Sequence, residues 1–236
     1  MKKFQMGIFV VAVILSVQSV KAQTADEVVN KYVTALGGKE KLATLKSVKK
    51  TGSINVQGTD VNLTVTVVQG VGSRNDISVP GKGEGYQIIN ATKGWDFMPF
   101  MGQISPEEVS ADKLKASQGL LDLQGLLFNY KEKGSQIELL GKENVEGAEA
   151  YKLKLTNKLG VVSTLFIDTK TNYLVRSITT AKGANGDENT EVTYSDFKKT
   201  DEGYVFPFSQ AIDRGTIIFS AIETNKPVDE KIFTVN

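Results

Sequence analysis

From Val48 onward, apolar and polar side chains take turns along the chain. Val61, Leu63, Val65 and Val67 interleave with Asn62, Thr64 and Thr66, and Tyr151, Leu153 and Leu155 interleave with Lys152 and Lys154. Successive side chains of a strand point to opposite faces, so each run reads as a strand with one buried and one wetted face. Further β-rich runs lie near 71–79, 84–91, 161–168, 172–180, 189–199, 203–212 and 215–224. Turn signals separate the runs at Pro80-Gly81, Glu146-Gly147, Asn157 to Gly160, Asp168 to Asn172, Gly183 to Asp187 and Glu202-Gly203. Many short strands joined by tight turns predict a mainly β (α+β) chain: one antiparallel sheet curled into a barrel or half-barrel. No internal repeat, low-complexity tract or linker divides it, so residues 23–236 read as a single domain.

Two stretches break the period of two. Thr24-Ala25-Asp26-Glu27 is a capping box in which Thr24 and Glu27 each satisfy a free backbone N–H. Val28, Val29, Tyr32, Val33 and Leu36 then share one helical stripe, which Gly37-Gly38 stops; a shorter helix with Leu42 and Leu45 follows. The polar face of the first helix carries Asp26, Glu27 and Lys31 rather than a basic array, so it is expected to cover the sheet, not a membrane. The second stretch opens with Ser105-Pro106-Glu107-Glu108, which has the form of another capping box with proline at the first helical position. It predicts a helix to about Ala116, broken at Gly119 and followed by Leu120, Leu121, Leu123, Leu126, Leu127 and Phe128. This helical insertion, a lid at about 103–130, separates a strand ending near Phe97 from one beginning near Gln136.

The N-terminus reads as an export signal of residues 1–22. Lys2 and Lys3 precede an apolar stretch from Gly7 to Val20, and Val20-Lys21-Ala22 forms a small-residue cleavage site. The stretch is shorter than the roughly 20 residues a membrane-spanning helix needs. Gln23, not cysteine, follows the cut, so the expectation is a soluble protein released into the periplasm rather than a lipid-anchored one. Losing three lysines leaves 25 basic against 27 acidic residues, a net charge of −2. Such a near-neutral surface gives no reason to expect nucleic-acid binding.

The chain has no cysteine and no histidine. That excludes Cys–His pairs, Ser–His–Asp triads and His- or Cys-ligated metal sites. Carboxylate, lysine, tyrosine or Ser–Lys chemistry remains possible, but no pair stands out, and no catalytic residue, metal or cofactor is expected. Gly81-Lys82-Gly83-Glu84-Gly85 lacks the Gly-Lys-Ser/Thr of a phosphate loop and reads as a hairpin turn. Asn185, Asp187, Asn189 and Glu191 lack the spacing of a calcium loop and read as a solvated turn. Glu107, Glu108 and Asp112 read as acidic residues that suit the start of a helix.

The most unusual segment is Gly94-Trp95-Asp96-Phe97-Met98-Pro99-Phe100-Met101-Gly102. It holds the sole tryptophan, two of four methionines and two phenylalanines. Methionine and aromatic side chains form an adaptable greasy surface, suited to a flexible apolar ligand or to ordinary core. A strongly curved sheet with an apolar inner face also cannot fill its own concavity. Inserted helices or a ligand must plug it.

With these residues in view, the chain resembles the LolA-like outer-membrane lipoprotein-sorting proteins. The resemblance spans nearly all of residues 23–236: a first helix ending Ala35-Leu36-Gly37-Gly38, then strands, a lid, and closing strands with Tyr204-Val205-Phe206-Pro207-Phe208. Its sharpest part is Asn90-Ala91-Thr92-Lys93-Gly94-Trp95-Asp96-Phe97-Met98-Pro99-Phe100, similar to the family pattern of a turn, Trp, an aromatic and Pro. The resemblance implies an incomplete barrel closed by the N-terminal helix and the lid, and a non-enzymatic carrier of lipoprotein acyl chains or other lipids toward the outer membrane. It implies a lipid site of Val61, Leu63, Val65, Val67, Trp95, Phe97, Met98, Phe100, Met101, Leu120, Leu121, Leu126 and Leu127, with Arg74 holding the lid shut. Transient inner- and outer-membrane transfer partners and a monomeric state are part of the same expectation. A non-catalytic envelope module binding a protein or glycan, and an enzyme on the same half-barrel, are the alternatives.

Overall fold

The computed structural model describes residues 23–183 and 186–235. The expected export signal and Asn185 of the acidic turn lie outside the described residues. Helix α1 (Ala25–Ala35) starts on the expected capping box: Thr24 Oγ1 accepts from Glu27 N at 3.2 Å, and Thr24 N donates to Glu27 Oε2 at 3.1 Å. Helix α2 (Lys39–Ala43) follows.

The first six strands are β1 (Ser47–Val56), β2 (Thr59–Val68), β3 (Gly72–Val79), β4 (Gly83–Asn90), β5 (Gly94–Phe97) and β6 (Glu107–Glu108). After the insertion come β7 (Gln136–Val145), β8 (Ala148–Thr156), β9 (Val162–Asp168), β10 (Leu174–Gly183), β11 (Gly186–Lys199), β12 (Val205–Ile212) and β13 (Gly215–Thr224). All belong to one sheet in the order β6-β5-β4-β3-β2-β1-β13-β12-β11-β10-β9-β8-β7. The pairings are antiparallel, and β6 and β7 remain as unjoined edges. The sheet is therefore an incomplete barrel, as expected. Two sequential meanders meet where β1 pairs with β13, Val48 opposite Thr224 and Ile54 opposite Ile217.

That central ladder carries a bulge between Thr51 and Gly52. A Cβ at Gly52 would lie 2.3 Å from the Ile218 carbonyl oxygen, so only glycine fits so close to the neighbouring strand.

The insertion corrects one expectation. The predicted helix start at Ser105-Pro106-Glu107-Glu108 is instead an edge strand, with Glu108 opposite Trp95 and Glu107 opposite Asp96. Helix α3 (Ala111–Ser117) begins later, capped by Ser110, whose Oγ accepts from Lys113 N at 3.2 Å. The open edge of β5 offers backbone hydrogen bonds that outweigh the local capping signal, and a second capping serine lies five residues on. Gly119 does not end the helical path, because a 3₁₀ turn over Gln118–Leu121 continues it.

From β6 the chain crosses the mouth of the sheet as the lid and returns at β7, the opposite edge. The largest core cluster fills the concavity beneath one end of that crossing. Val28, Val29 and Tyr32 of α1 pack there with Leu127, Phe128 and Tyr130 of the lid, against Tyr151, Leu153, Leu155, Leu165 and Ile167 of β8 and β9. The C-terminal 3₁₀ turn (Glu230–Phe233) packs on the other face of the sheet, with Phe233 against Gly72.

Candidate ligand cavity

The ladder register sorts the side chains of the first wing. Antiparallel partners share a face, so Val61, Leu63, Val65 and Val67 lie with Val48, Lys50, Ile54, Ser73 and Asn75 on the inner face. Thr64, Thr66, Arg74, Asp76, Tyr86, Ile88, Trp95 and Phe97 lie on the outer face.

Between the inner face, the first two helices and the lid is a cavity of about 460 Å³. Tyr32 of α1 and Leu36 just after it, with Leu42 and Leu45 from α2 and its exit, form one wall. Val48, Leu63, Val65 and Val67 form the floor, continued by Tyr194, Phe206, Ile217 and Phe219 from β11 to β13. Gly119, Leu120 and Asp122 to Gly125 of the lid roof it. The volume lies within the range of about 300–1,000 Å³ typical of small-molecule sites.

The lid is held by backbone and amide contacts. Gly70 N donates to the Leu121 carbonyl at 2.9 Å, Leu123 N to Gln69 Oε1 at 2.6 Å, and Gln118 Nε2 to the Asn90 carbonyl at 3.2 Å. Lys133 Nζ pairs with Asp122 at 2.6 Å and donates to the Gly125 carbonyl at 2.9 Å. At the far end of the lid Asp26 of α1 accepts from Lys131 at 2.7 Å and from Tyr130. These bonds, Lys131 first, hold the Asp26 carboxyl below its ordinary value.

The expected lipid-site residues divide into several groups. Leu63, Val65, Val67 and Leu120 line the cavity. Val61 shares their face but lies outside the cavity lining. Leu121 and Leu127 are core, 6% and 1% exposed, and Leu126 packs against the same cluster as Leu127. Met98 and Phe100 fold back over Gly85, where a Cβ would lie 2.9 Å from Met98 Sδ and 3.0 Å from Phe100 Cε1. Met101 is 78% exposed. Trp95 and Phe97 are not brought together with the cavity. Strand alternation turns them outward, and Phe97 tilts against Tyr86 with ring centroids 5.6 Å apart. The composition of that segment reported greasiness but not which face it covers.

Arg74, expected to hold the lid, also lies on the outer face. Its Nε pairs with Asp76 Oδ1 at 2.7 Å, its Nη1 donates to the Ile232 carbonyl at 3.1 Å, and its guanidinium lies 4.7 Å from the Tyr86 ring centre. These partners belong to the sheet and the C-terminal turn, not to residues 103–130.

One cavity residue goes beyond the sequence expectations. Lys50 lines the cavity, its Nζ 5.6 Å from the Phe206 ring centre and 5.5 Å from that of Phe219. Among the described residues it has no ion pair or hydrogen bond. Burial away from water pushes its ammonium down from 10.5 to about 8. Burial likewise raises the phenols of Tyr32 and Tyr194, which share the lining. No group of three or more acidic residues among the described residues is arranged to hold a metal ion.

No family model and no curated protein sequence matches the chain. Solved structures do. A LolA superfamily protein from Nitrosomonas europaea superposes with a TM-score of 0.57 at 16% identity, over 91% of this chain and 99% of that one. The fold is LolA-like. A domain from Vibrio parahaemolyticus assigned as an outer membrane lipoprotein-sorting protein gives 0.55 at 12% identity, over 88% and 94% of the two chains. A DUF1329 family protein from Desulfovibrio piger gives 0.50 at 14% identity, over 90% and 98%. In this LolA-like half-barrel the cavity sits between the sheet and the crossing segment.

Proposed function

We propose that the protein is a non-enzymatic carrier that binds acyl chains of lipoproteins or other lipids in the cavity and ferries them through the periplasm toward the outer membrane. The observation that carries this reading is the apolar cavity of about 460 Å³ roofed by a lid. A burying site is what a carried acyl chain needs, since each methylene removed from water contributes about 0.8 kcal/mol. The LolA-like fold supports the same reading, as does the sorting role assigned to the Vibrio parahaemolyticus domain. Carriage needs no bond-making, so the lack of His and Cys is no obstacle.

Leu120 offers the direct test because it lines the cavity yet is 57% exposed, so a charge there is tolerated by the fold. Leu120→Asp should weaken acyl-ligand uptake from vesicles at least fivefold, with an unchanged melting temperature. Leu127→Asp, at a core position, should unfold the protein instead. A folded, delipidated wild type that extracts no acyl ligand from vesicles would set the carrier reading aside in favour of an envelope module that binds a protein or glycan.

A further inference from the structure

Lys50 stands on the central strand β1, on the floor of a mostly apolar cavity whose uncharged polar side chains include Ser73, Asn75, Gln124 and Gln210. The other titratable groups lining that cavity are Tyr32, Tyr194, Tyr204 and Asp122, and Asp122 is already paired with Lys133. Two aromatic faces, Phe206 and Phe219, are the cation's closest compensation. Lys50 is half-buried, and holding a cation among apolar side chains without a carboxylate is costly. A negative charge carried in by a ligand would supply the partner that Lys50 lacks.

A second group wants a partner in the same place. Lys50 lies opposite Val65, and Val65 opposite Asn75, so the lysine and the amide stand in one cross-strand row on the cavity floor. The Asn75 side-chain oxygen is buried without a hydrogen-bond partner. By turning about its last bond an amide presents either its oxygen or its N–H₂ to a neighbour.

Size sets the rest of the ligand. A cavity of about 460 Å³ lies in the range of sites that take one small molecule, so a single medium-length chain suits it.

We propose that the cavity's ligand is a single-chain carboxylate amphiphile of the fatty-acid type, bound with its carboxylate inward against Lys50 and within reach of Asn75. This rests on the reading of the cavity as an acyl-chain site and narrows it to one ligand class. Acyl chains joined through esters or amides carry no charge at that end and leave Lys50 uncompensated.

The test compares tetradecanoate with 1-tetradecanol by calorimetric titration into the delipidated protein. Wild type should bind tetradecanoate one to one and at least tenfold more tightly than the alcohol. Lys50→Met should lose that preference while keeping its affinity for the alcohol, and Lys50→Arg should retain it. Raising the pH from 7 to 9 should weaken tetradecanoate binding to the wild type several-fold, as the lysine loses its proton. Equal affinities for acid and alcohol, unchanged in Lys50→Met, would overturn the inward carboxylate and leave the acyl-chain cavity standing. A folded wild type that binds neither ligand, confirmed as folded by circular dichroism, would overturn both.

Discussion

Lys50 gives the residue scale its clearest measurable consequence. Its proton is released near pH 8 in the folded protein and near 10.5 in an unfolded chain. Between those values the unfolded state binds more protons, so raising the pH favours the fold. Stability of the ligand-free protein should therefore climb from about pH 8 to pH 10. Above that the raised phenols of Tyr32 and Tyr194 act the other way, because the unfolded chain then loses protons that the folded state keeps. Lys50→Met should abolish the climb and be more stable at pH 7 by a few kcal/mol, the order implied by a shift of this size; thermal melts across the pH series decide it. Lys50 was legible in the sequence: it follows Val48 by two in a period-two strand and so shares its inward face. Nothing in the local pattern said that the face closes over an apolar space, because that depends on helices and a lid distant in sequence. Trp95 is the converse. Its side is fixed by pairing with Ile88, and composition holds no information on that register. Its emission should stay unchanged when tetradecanoate fills the cavity.

Elements differ in how much of their placement is local. The α1 capping box and the strands with clean alternation need only near neighbours, and they form where the pattern puts them. The start of α3 is decided by the exposed edge of β5, which no window of sequence around Ser105 describes. Gln69 and Gln118 anchor the lid beside Gln124, which donates to the Leu42 carbonyl, and Lys113, which pairs with Asp96, and these contacts make its mobility testable. Replacing Gln69 and Gln118 by Ala removes bonds to Leu123 N and to the Asn90 carbonyl. Each is worth about 1 kcal/mol, so together they should speed amide exchange across Ala111–Leu123 roughly tenfold or more, with β1 and β13 unaffected. The central ladder is the rigid counterpart. Gly52→Val forces a Cβ to within 2.3 Å of the Ile218 oxygen and should lower stability by about 3 kcal/mol, read from a denaturation midpoint at unchanged slope.

For the molecule as a whole, alternation and turn chemistry disclosed the strands, and curvature was implied by their number. What they did not disclose is that the sheet is two meanders joined at β1 and β13, since that junction is made by residues such as Val48 and Thr224 at opposite ends of the chain. The same strand order governs how the molecule assembles. Hairpin by hairpin, β1–β6 and β7–β13 close short loops that lose little entropy, whereas the seam between them closes across almost the entire chain. The middle of this sheet is thus its costliest closure in chain entropy. Without that seam the two wings stand apart, joined only through the crossing segment. Only β13 shuts the seam, and without it β1 presents an unpaired edge of the kind that invites pairing with another chain.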